Sequence, residues 1–342
     1  MKPRLTHLEP PVPHPSCPNP HALSARTSVR HADPALPLAQ QVTAAVLLIA
    51  LLIIVAPAAR SAPPDYGPAF DQAWHDGKAE LASYDLTYTR YGQTRTGTAA
   101  TVIVTEPFSD AARVKSDRGG PGTFGALKFN LAEDFPTGVY DYNLMTSVFV
   151  ATEACGLLSP GDVAKLSFSS QEWCGHVWQQ AAFRPAGAPG TVEQVHHSYF
   201  EFEGDAATRI AHPQGGFAED ALILWARGLA GPVLAPGESL EIPLYRSAAI
   251  QRLQHAPAAW DTATLSRDSK TQATATIESN RGPRTYTFTL DDTGMLTKLE
   301  RSDGYSLKLR GVERMPYWSQ NRNADQQRLK AIGLEPRGPG QM

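Results

Sequence analysis

The chain has 342 residues, a formal net charge of -3, 42% hydrophobic residues and 19% charged residues. That much apolar surface offsets the entropy of ordering the chain, so the composition excludes a largely disordered protein. Beyond the first 62 residues there remain 26 basic and 32 acidic residues with no Lys/Arg cluster, which excludes a nucleic-acid-binding surface.

Nine of the first forty residues are proline, and HLEPPVPHPSCPNP has neither a helical nor a strand period. Residues 1–41 therefore read as a disordered Pro-rich segment. Val42–Ala59 follows as VTAAVLLIALLIIVAPAA, without a charge. As a helix it reaches roughly 27 Å, just short of a hydrocarbon core. Its apolar centre, Ala44–Ala56, has the length of a signal-peptide core, and Ala56-Pro57-Ala58 suits a signal peptidase. Four Lys/Arg precede the run and one closely follows it, so the N-terminus is expected in the cytoplasm. Residues 42–62 thus read as a signal peptide or membrane anchor, with cleavage preferred. Everything beyond is placed in the periplasm or cell envelope, membrane-associated through 42–59 if the segment is retained. No cysteine follows at the position an acylated lipoprotein needs. A signal of ordinary length would open at Val29-Arg30-His31, downstream of most of the prolines.

Pro68–Asp76 reads as a brief helix that Gly77 stops. Leu81–Tyr91 then places Ala82, Tyr84, Leu86 and Tyr88 on one strand face. Tyr91-Gly92-Gln93 is a turn, and Thr94–Thr105 completes a hairpin that Pro107 breaks. Ser109–Gly125 is a loop, Ala126–Leu131 a short strand and Val139–Val150 a longer one. Ala164–Gln180 alternates with a kink at Gly175. Ala182–Gly190 is a second loop, and Val195–Glu203 is a strand ended by Gly204-Asp205. Ala218–Leu229 is the best helix, with Phe217, Ala221, Leu222, Leu224, Trp225 and Leu229 as its stripe. Thr271–Ile277, Thr285–Leu290, Met295–Ser302 and Ser306–Arg314 form an antiparallel meander, with turns at Asp292-Thr293-Gly294 and Ser302-Asp303-Gly304. These elements predict a mainly β (β-rich α+β) fold: an antiparallel, strongly curved sheet or half-barrel with one or two short helices. It forms a single domain over 63–318, followed by a loose or weakly helical polar tail over 319–342.

The stretch least explained by folding is Gln171-Glu172-Trp173-Cys174-Gly175-His176. On a strand, Glu172, Cys174 and His176 share one face, a thiol beside an imidazole and a carboxylate. Residues two apart on a strand stand about 6–7 Å apart, too far for a direct Cys–His hydrogen bond, which favours a plain polar strand face. A hairpin of Val139–Val150 with Ala164–Gln180, centred near residue 157, sets Cys174 opposite Tyr140 and Tyr142 opposite Glu172. It leaves Cys155 at the tip, out of disulfide reach of Cys174. Tyr140, Tyr142, Glu172, Cys174 and His176 are the candidate ligand-binding strip, the alternative being a packed cross-strand face. Recruiting His196 or His197 to Cys174 and His176 would give a metal site, but no paired metal-ligand spacing is present, so no metal and no cofactor are expected. Glu201, Glu203 and Asp205 lie close enough to suggest an acid–base pair, but Tyr199, Glu201 and Glu203 alternating with Phe200 and Phe202 is what a half-exposed strand gives, the preferred reading.

The segments DGKAELASYDLTYTRYG, TEPF, FPTGVYDYNLMTS, SSQEWCGH and YFEFEGD, spanning Trp74 to Asp205, resemble an uncharacterised family of exported bacterial proteins, many of them lipoproteins. A weaker echo lies in the C-terminal meander. Members often carry the automatic label "septum formation inhibitor Maf". The pyrophosphatase of that name opens with L-A-S-x-S-P-R-R, whereas Leu81-Ala82-Ser83-Tyr84 is followed by nothing similar, so that chemistry is not implied. The chain also departs from the lipoprotein members in lacking the acylated cysteine. The leading expectation is non-catalytic binding of a lipid or other apolar or amphipathic ligand, or of an envelope protein partner. The alternatives are an exported hydrolase or thiol enzyme using Cys174 and His176 with Glu172, and a structural envelope scaffold acting through its sheet edges.

Overall fold

Alternation of apolar and polar residues with period two gives strands one buried face, and most of the fifteen strands here are built that way. The computed structural model describes residues 62–185 and 190–336, within the compact unit Pro57–Met342. The segment expected to be disordered, 1–41, the apolar run 42–59 and the tail beyond 336 lie outside the described residues. Among the described residues no helix is long and apolar enough to cross a membrane.

Helix α1 (Pro68–Trp74) leads into eight consecutive strands. They are β1 (Ala79–Arg90), β2 (Gln93–Ser109), β3 (Thr123–Pro136), β4 (Asp141–Ala151), β5 (Val163–Glu172), β6 (Gly175–Arg184), β7 (Gly190–His197) and β8 (Ala206–His212). A two-residue strand β9 (Phe217–Ala218), a 3-10 turn (Glu219–Ala221) and helix α2 (Leu222–Ala226) come next. Strand β10 (Ser239–Tyr245), helix α3 (Ala248–Gln254), and strands β11 (Trp260–Ser266), β12 (Gln272–Glu278), β13 (Arg284–Leu290), β14 (Leu296–Arg301) and β15 (Ser306–Met315) complete the domain. All belong to one sheet in the order β8-β7-β6-β5-β4-β3-β2-β1-β15-β14-β13-β12-β11-β10-β9. Every neighbouring pair is antiparallel except β9 with β10. Pairing of β1 with β15 joins the two meanders, and the sheet curls until its two halves touch. Trp260 Nε1 donates to the Ala211 carbonyl at 2.9 Å, and the Tyr245 hydroxyl donates to Gln194.

A curved sheet needs its concave side filled, and here the connecting helices fill it. Leu222, Ile223, Leu224, Trp225 and Ala226 of α2 are all buried, as are Ala248, Ile250, Gln251 and Arg252 of α3. Ala82, Tyr84, Leu86 and Tyr88 face this core as expected, with Leu127, Phe129 and Leu131. The residues beside them on the other face build a second cluster of Phe108, Phe124, Ala126, Ala151, Leu158 and Ala164. The tightest glycine is Gly97: a Cβ there would fall 2.0 Å from the Asp134 carbonyl oxygen. Next to that gap the rings of Tyr88 and Phe135 stack at 4.4 Å, and Phe135 stacks on Tyr142 at 5.2 Å.

One buried network joins four charges. Arg284 reaches Glu219 through Nε and Nη2, both at 3.0 Å, and contacts Asp261 at 3.3 Å. Arg246 grips Asp261 through Nε at 3.0 Å and Nη2 at 2.7 Å. Glu219 also accepts from the Tyr286 hydroxyl at 2.7 Å and from the Ser247 N–H at 2.9 Å.

The fold is the expected β-rich one, with corrections in detail. Among the described residues there are fifteen strands and three short α-helices, where one or two short helices were expected. β8 (AATRIAH) is mostly exposed and shows no alternation, while β10 carries Pro243, so neither reads as a strand. Strand β2 runs through Pro107, because that residue is exposed at a point where β2 needs no further donor: its carbonyl accepts from the Ser116 N–H at 2.8 Å. Ala164–Gln180 is two strands, turned at Trp173-Cys174, rather than one kinked strand. The tail forms a 3-10 helix (Asn323–Ile332) that packs against β15 and β1, buries Ile332 and accepts a hydrogen bond from Ser83 Oγ.

Arg284→Met should cost about 3–5 kcal/mol in urea unfolding, because it strands the buried Glu219 carboxylate. The Arg284→Met/Glu219→Gln double variant should recover much of that loss.

Candidate functional site

In an antiparallel meander, the turns that follow alternate strands fall at the same end of the sheet. The turns after β1, β3, β5 and β7 therefore share one rim, and the link from β10 to β11 that contains α3 lies at the same end. The turn after β1 is Tyr91-Gly92, with φ of 56° and 68°. Two successive left-handed residues match the twist of the flanking strands.

Each of these four turns carries aromatic side chains: Tyr91, Tyr140, Trp173, and Tyr199 with Phe200 and Phe202. Trp173 is 77% exposed and Phe202 71%. Ring centroids lie 6.3 Å apart for Tyr140 and Trp173, 5.9 Å for Tyr140 and Tyr142, and 5.3 Å for Phe200 and Phe202. The Tyr91 and Tyr142 hydroxyls are 2.7 Å apart, and Arg90 Nη2 donates to Tyr142 at 3.2 Å. Exposed aromatic clusters of this kind mark contact surfaces.

Beneath the rim is a small cavity of about 20 Å³ lined by Arg90, Tyr142 and Ser170 on the strands and by Ala249, Arg252 and Leu253 on α3. Arg252 is only 5% exposed, and its guanidinium lies 4.9 Å from the Phe200 ring. Its Nε and Nη1 have no hydrogen-bond partner among the described residues, and neither does Arg90 Nε. Buried guanidinium nitrogens are rarely left this way.

The five residues expected to form the strip occupy this rim, though not all as a strand face. The β4–β5 register is the expected one, Asn143 facing Gln171. Cys174, however, sits in the two-residue turn, so Glu172, Cys174 and His176 do not share a strand face: His176 pairs with Gln171 on β6. Its ring lies 6.3 Å from His197. Glu172 accepts from the Tyr199 hydroxyl and from the Cys174 N–H, both at 2.6 Å. Partial burial opposes its ionisation, but these hydrogen bonds outweigh burial and hold the carboxyl below its usual value. The Glu172 carboxylate, hydrogen-bonded to the Cys174 thiol, pushes that thiol up, the reverse of what an activated nucleophile requires. Cys155 and Cys174 are both free thiols.

Val195–Glu203 is likewise not one strand. β7 ends at His197, and Ser198–Asp205 folds over the end of α3. Glu203 accepts hydrogen bonds from Ser198 and His255 and stands 3.5 Å from His196 Nε2. Burial raises its carboxyl, but these partners hold it below the usual value. No group of three or more His, Cys, Asp or Glu placed to hold a metal occurs among the described residues.

Arg252 was not legible as a site residue, because α3 has no clear stripe. Trp173 belongs to the stretch least explained by folding, and a tryptophan in a tight turn has no folding reason to be there. Among the described residues the interior also holds a cavity of about 60 Å³, lined by apolar side chains such as Phe129, Leu131 and Phe288 together with Glu133, Asp220 and Arg301. A groove of about 350 Å³ lies between β8 and β10–β11, lined by Pro213, Glu241, Pro243, Trp260 and Asp261. Its buried acid, Asp261, is already held by Arg246 and Arg284.

No protein-family model and no curated protein matches the chain. Among solved structures, a β-barrel-like protein of a domain of unknown function from Brucella abortus is similar. It shows 12% identity and a TM-score of 0.37, over 69% of this chain and 98% of that one. A likeness that distant transfers neither ligand nor reaction.

In a chain with Cys17 and Cys155 replaced by serine, Glu172→Gln should speed alkylation of Cys174 by iodoacetamide at pH 8. Removing the carboxylate lowers the thiol pKa and raises the thiolate fraction; an unchanged rate would show that Glu172 does not restrain the thiol.

Proposed function

We propose that this is a non-catalytic envelope binding protein whose aromatic rim holds an amphipathic ligand with an anionic head, a carboxylate or phosphate. The observation that carries the reading is Arg252: a buried guanidinium whose Nε and Nη1 lack partners, lining the same cavity as Arg90. An anion there would satisfy donors that the fold leaves open. The cavity, about 20 Å³, is far below the roughly 300 Å³ of a pocket that encloses a whole ligand. At about 10–15 Å³ per water-sized body, only one or two oxygens of the head group enter, and the apolar part lies across Trp173, Tyr140, Phe202 and Tyr199. Placement in the envelope rests on the apolar run 42–59 and the residues around it. The thiol-enzyme alternative loses ground to the raised Cys174 pKa and to the place of Cys174 in the turn, off the strand face that carries His176.

Dodecyl phosphate below its micellar concentration, followed by tryptophan fluorescence and calorimetry, tests this reading. The wild type should bind it saturably, and Arg252→Met should weaken binding roughly tenfold or more, the loss of charge-assisted hydrogen bonds. Trp173→Ala should also weaken it, while dodecanol and inorganic phosphate alone should bind poorly. Absence of saturable binding, or equal binding by a folded Arg252→Met variant, would sink the proposal.

A further inference from the structure

Behind the rim cavity, past Tyr88 and Ala249, which line both spaces, lies the interior cavity of about 60 Å³. Glu133, Glu219 and Asp220 bring three carboxylates to its wall, against the guanidinium of Arg301. Most of this charge is already matched. Glu219 and Asp261 balance Arg284 and Arg246. Arg301 donates through Nε to Asp303 at 2.8 Å and lies 4.6 Å from the Tyr305 ring. Asp220 and Glu133 have no cationic partner within ion-pair distance among the described residues.

The two are not equivalent. Asp220 accepts from Ser247 Oγ at 2.7 Å and from the Ala248 N–H at 3.0 Å, so both its oxygens are engaged at the start of α3. Glu133 is 3% exposed and is hydrogen-bonded by Tyr305, but its Oε1 has no hydrogen-bond partner among the described residues. A buried carboxylate oxygen facing a cavity with nothing to accept from is costly unless something occupies the space.

We propose that this cavity is a binding site for a small monovalent cation, sodium, potassium or ammonium, held by Glu133 with water and the neutral oxygens around it. Its volume suits that occupant. At about 10–15 Å³ per enclosed water, there is room for roughly four to six water-sized bodies, hence a hydrated ion. Thr146, Ser247 and Tyr305 line the same space and carry hydroxyl oxygens, the ligand type that hard cations take. One free carboxylate with neutral oxygens suffices for a monovalent ion, whereas a divalent ion calls for several carboxylates. The cation replaces what otherwise neutralises the site, a proton. The groups that act on Glu133 are Tyr305, Arg301, Asp134 and Asp220, with Tyr88 on the same cavity. Burial outweighs Tyr305 and Arg301 and raises its carboxyl from 4.5 to about 7. Without a cation the folded protein keeps this proton up to about pH 7, while the unfolded chain releases it near pH 4.5. The site therefore weakens the fold progressively as pH rises through that window. A bound cation opposes this loss above pH 7 and has little hold below pH 5.

Full-length protein is unfolded by heat at pH 8.5 and pH 5.0 in choline, sodium, potassium or ammonium chloride at equal ionic strength. At least one of the three small cations should raise the midpoint at pH 8.5 relative to choline, with the difference vanishing at pH 5.0. Glu133→Gln should show the same midpoint in all four salts at both pH values. Sodium-23 line broadening by the wild type, lost between pH 8.5 and pH 5.0, gives a readout that needs no variant. Equal midpoints in all four salts with no sodium broadening would overturn the proposal, as would a folded Glu133→Gln that keeps the wild-type salt response.

Discussion

Two guanidinium groups and two carboxylates sealed inside the curved sheet decide how its filling sits. Arg246 follows β10, Asp261 stands in β11, Arg284 opens β13, and Glu219 stands in the 3-10 turn before α2. Four elements contribute one charge each, so the network closes only if the chain between β8 and β11 is seated in one way. Hydrophobic burial favours filling the concave face with α2 and α3 but is indifferent to small slides of a short helix. Charges that are costly to bury unpaired are not indifferent. The helices are too short to be stable alone, so their position is borrowed from the sheet through these contacts.

That seating reaches the rim. Ser247 begins α3, and Asp220 and Glu219 hold its hydroxyl and its N–H. Arg252 comes five residues later, just over one turn into the helix, and is carried under Phe200 and into the cavity shared with Arg90. The position of the unpaired guanidinium therefore depends on the interior ion network, while the aromatic rings around it come from turns on the opposite half of the sheet. The rim is assembled from distant parts of the chain, and its geometry is only as fixed as the core that joins them.

This division explains what could be read from the sequence. Strands with one buried face announce themselves by alternation, so β1 with Tyr84, Leu86 and Tyr88, and the C-terminal meander, were legible nearly residue by residue. The centre of the β4–β5 hairpin was legible too, since both strands alternate and only one register buries both apolar sets. Strands at the sheet margin were not: β8 has little buried face, and β10 has Pro243 where alternation alone would not allow a strand. The turn at Trp173-Cys174 was missed because neither residue favours turns, and the exposed ring there answers to something other than folding. Tyr140, Tyr142, Glu172, Cys174 and His176 were found as a neighbourhood, but the groups that give it charge, Arg90 and Arg252, enter from β1 and from a helix without periodicity. Local pattern carries no information about a contact made by packing between such elements.

Charges in this interior fall into two kinds. Those of the Glu219–Arg284–Asp261–Arg246 set neutralise one another and fix the structure. Those of Arg90 and Arg252 on one side of Tyr88, and of Glu133 and Asp220 on the other, have no opposite ion in contact and face small cavities. Unlike charges left apart in a medium of low dielectric could reduce their cost by meeting, yet the Tyr88–Phe135–Tyr142 stack and α3 stand between them. The separation leaves a cationic chamber open to the rim and an acidic one behind it, whose Glu133 keeps a proton up to about pH 7 unless a cation takes its place. An anion in the first and a cation in the second would each relieve a charge the fold does not, and their mutual attraction across the ring of Tyr88 would make occupancy of one chamber favour occupancy of the other.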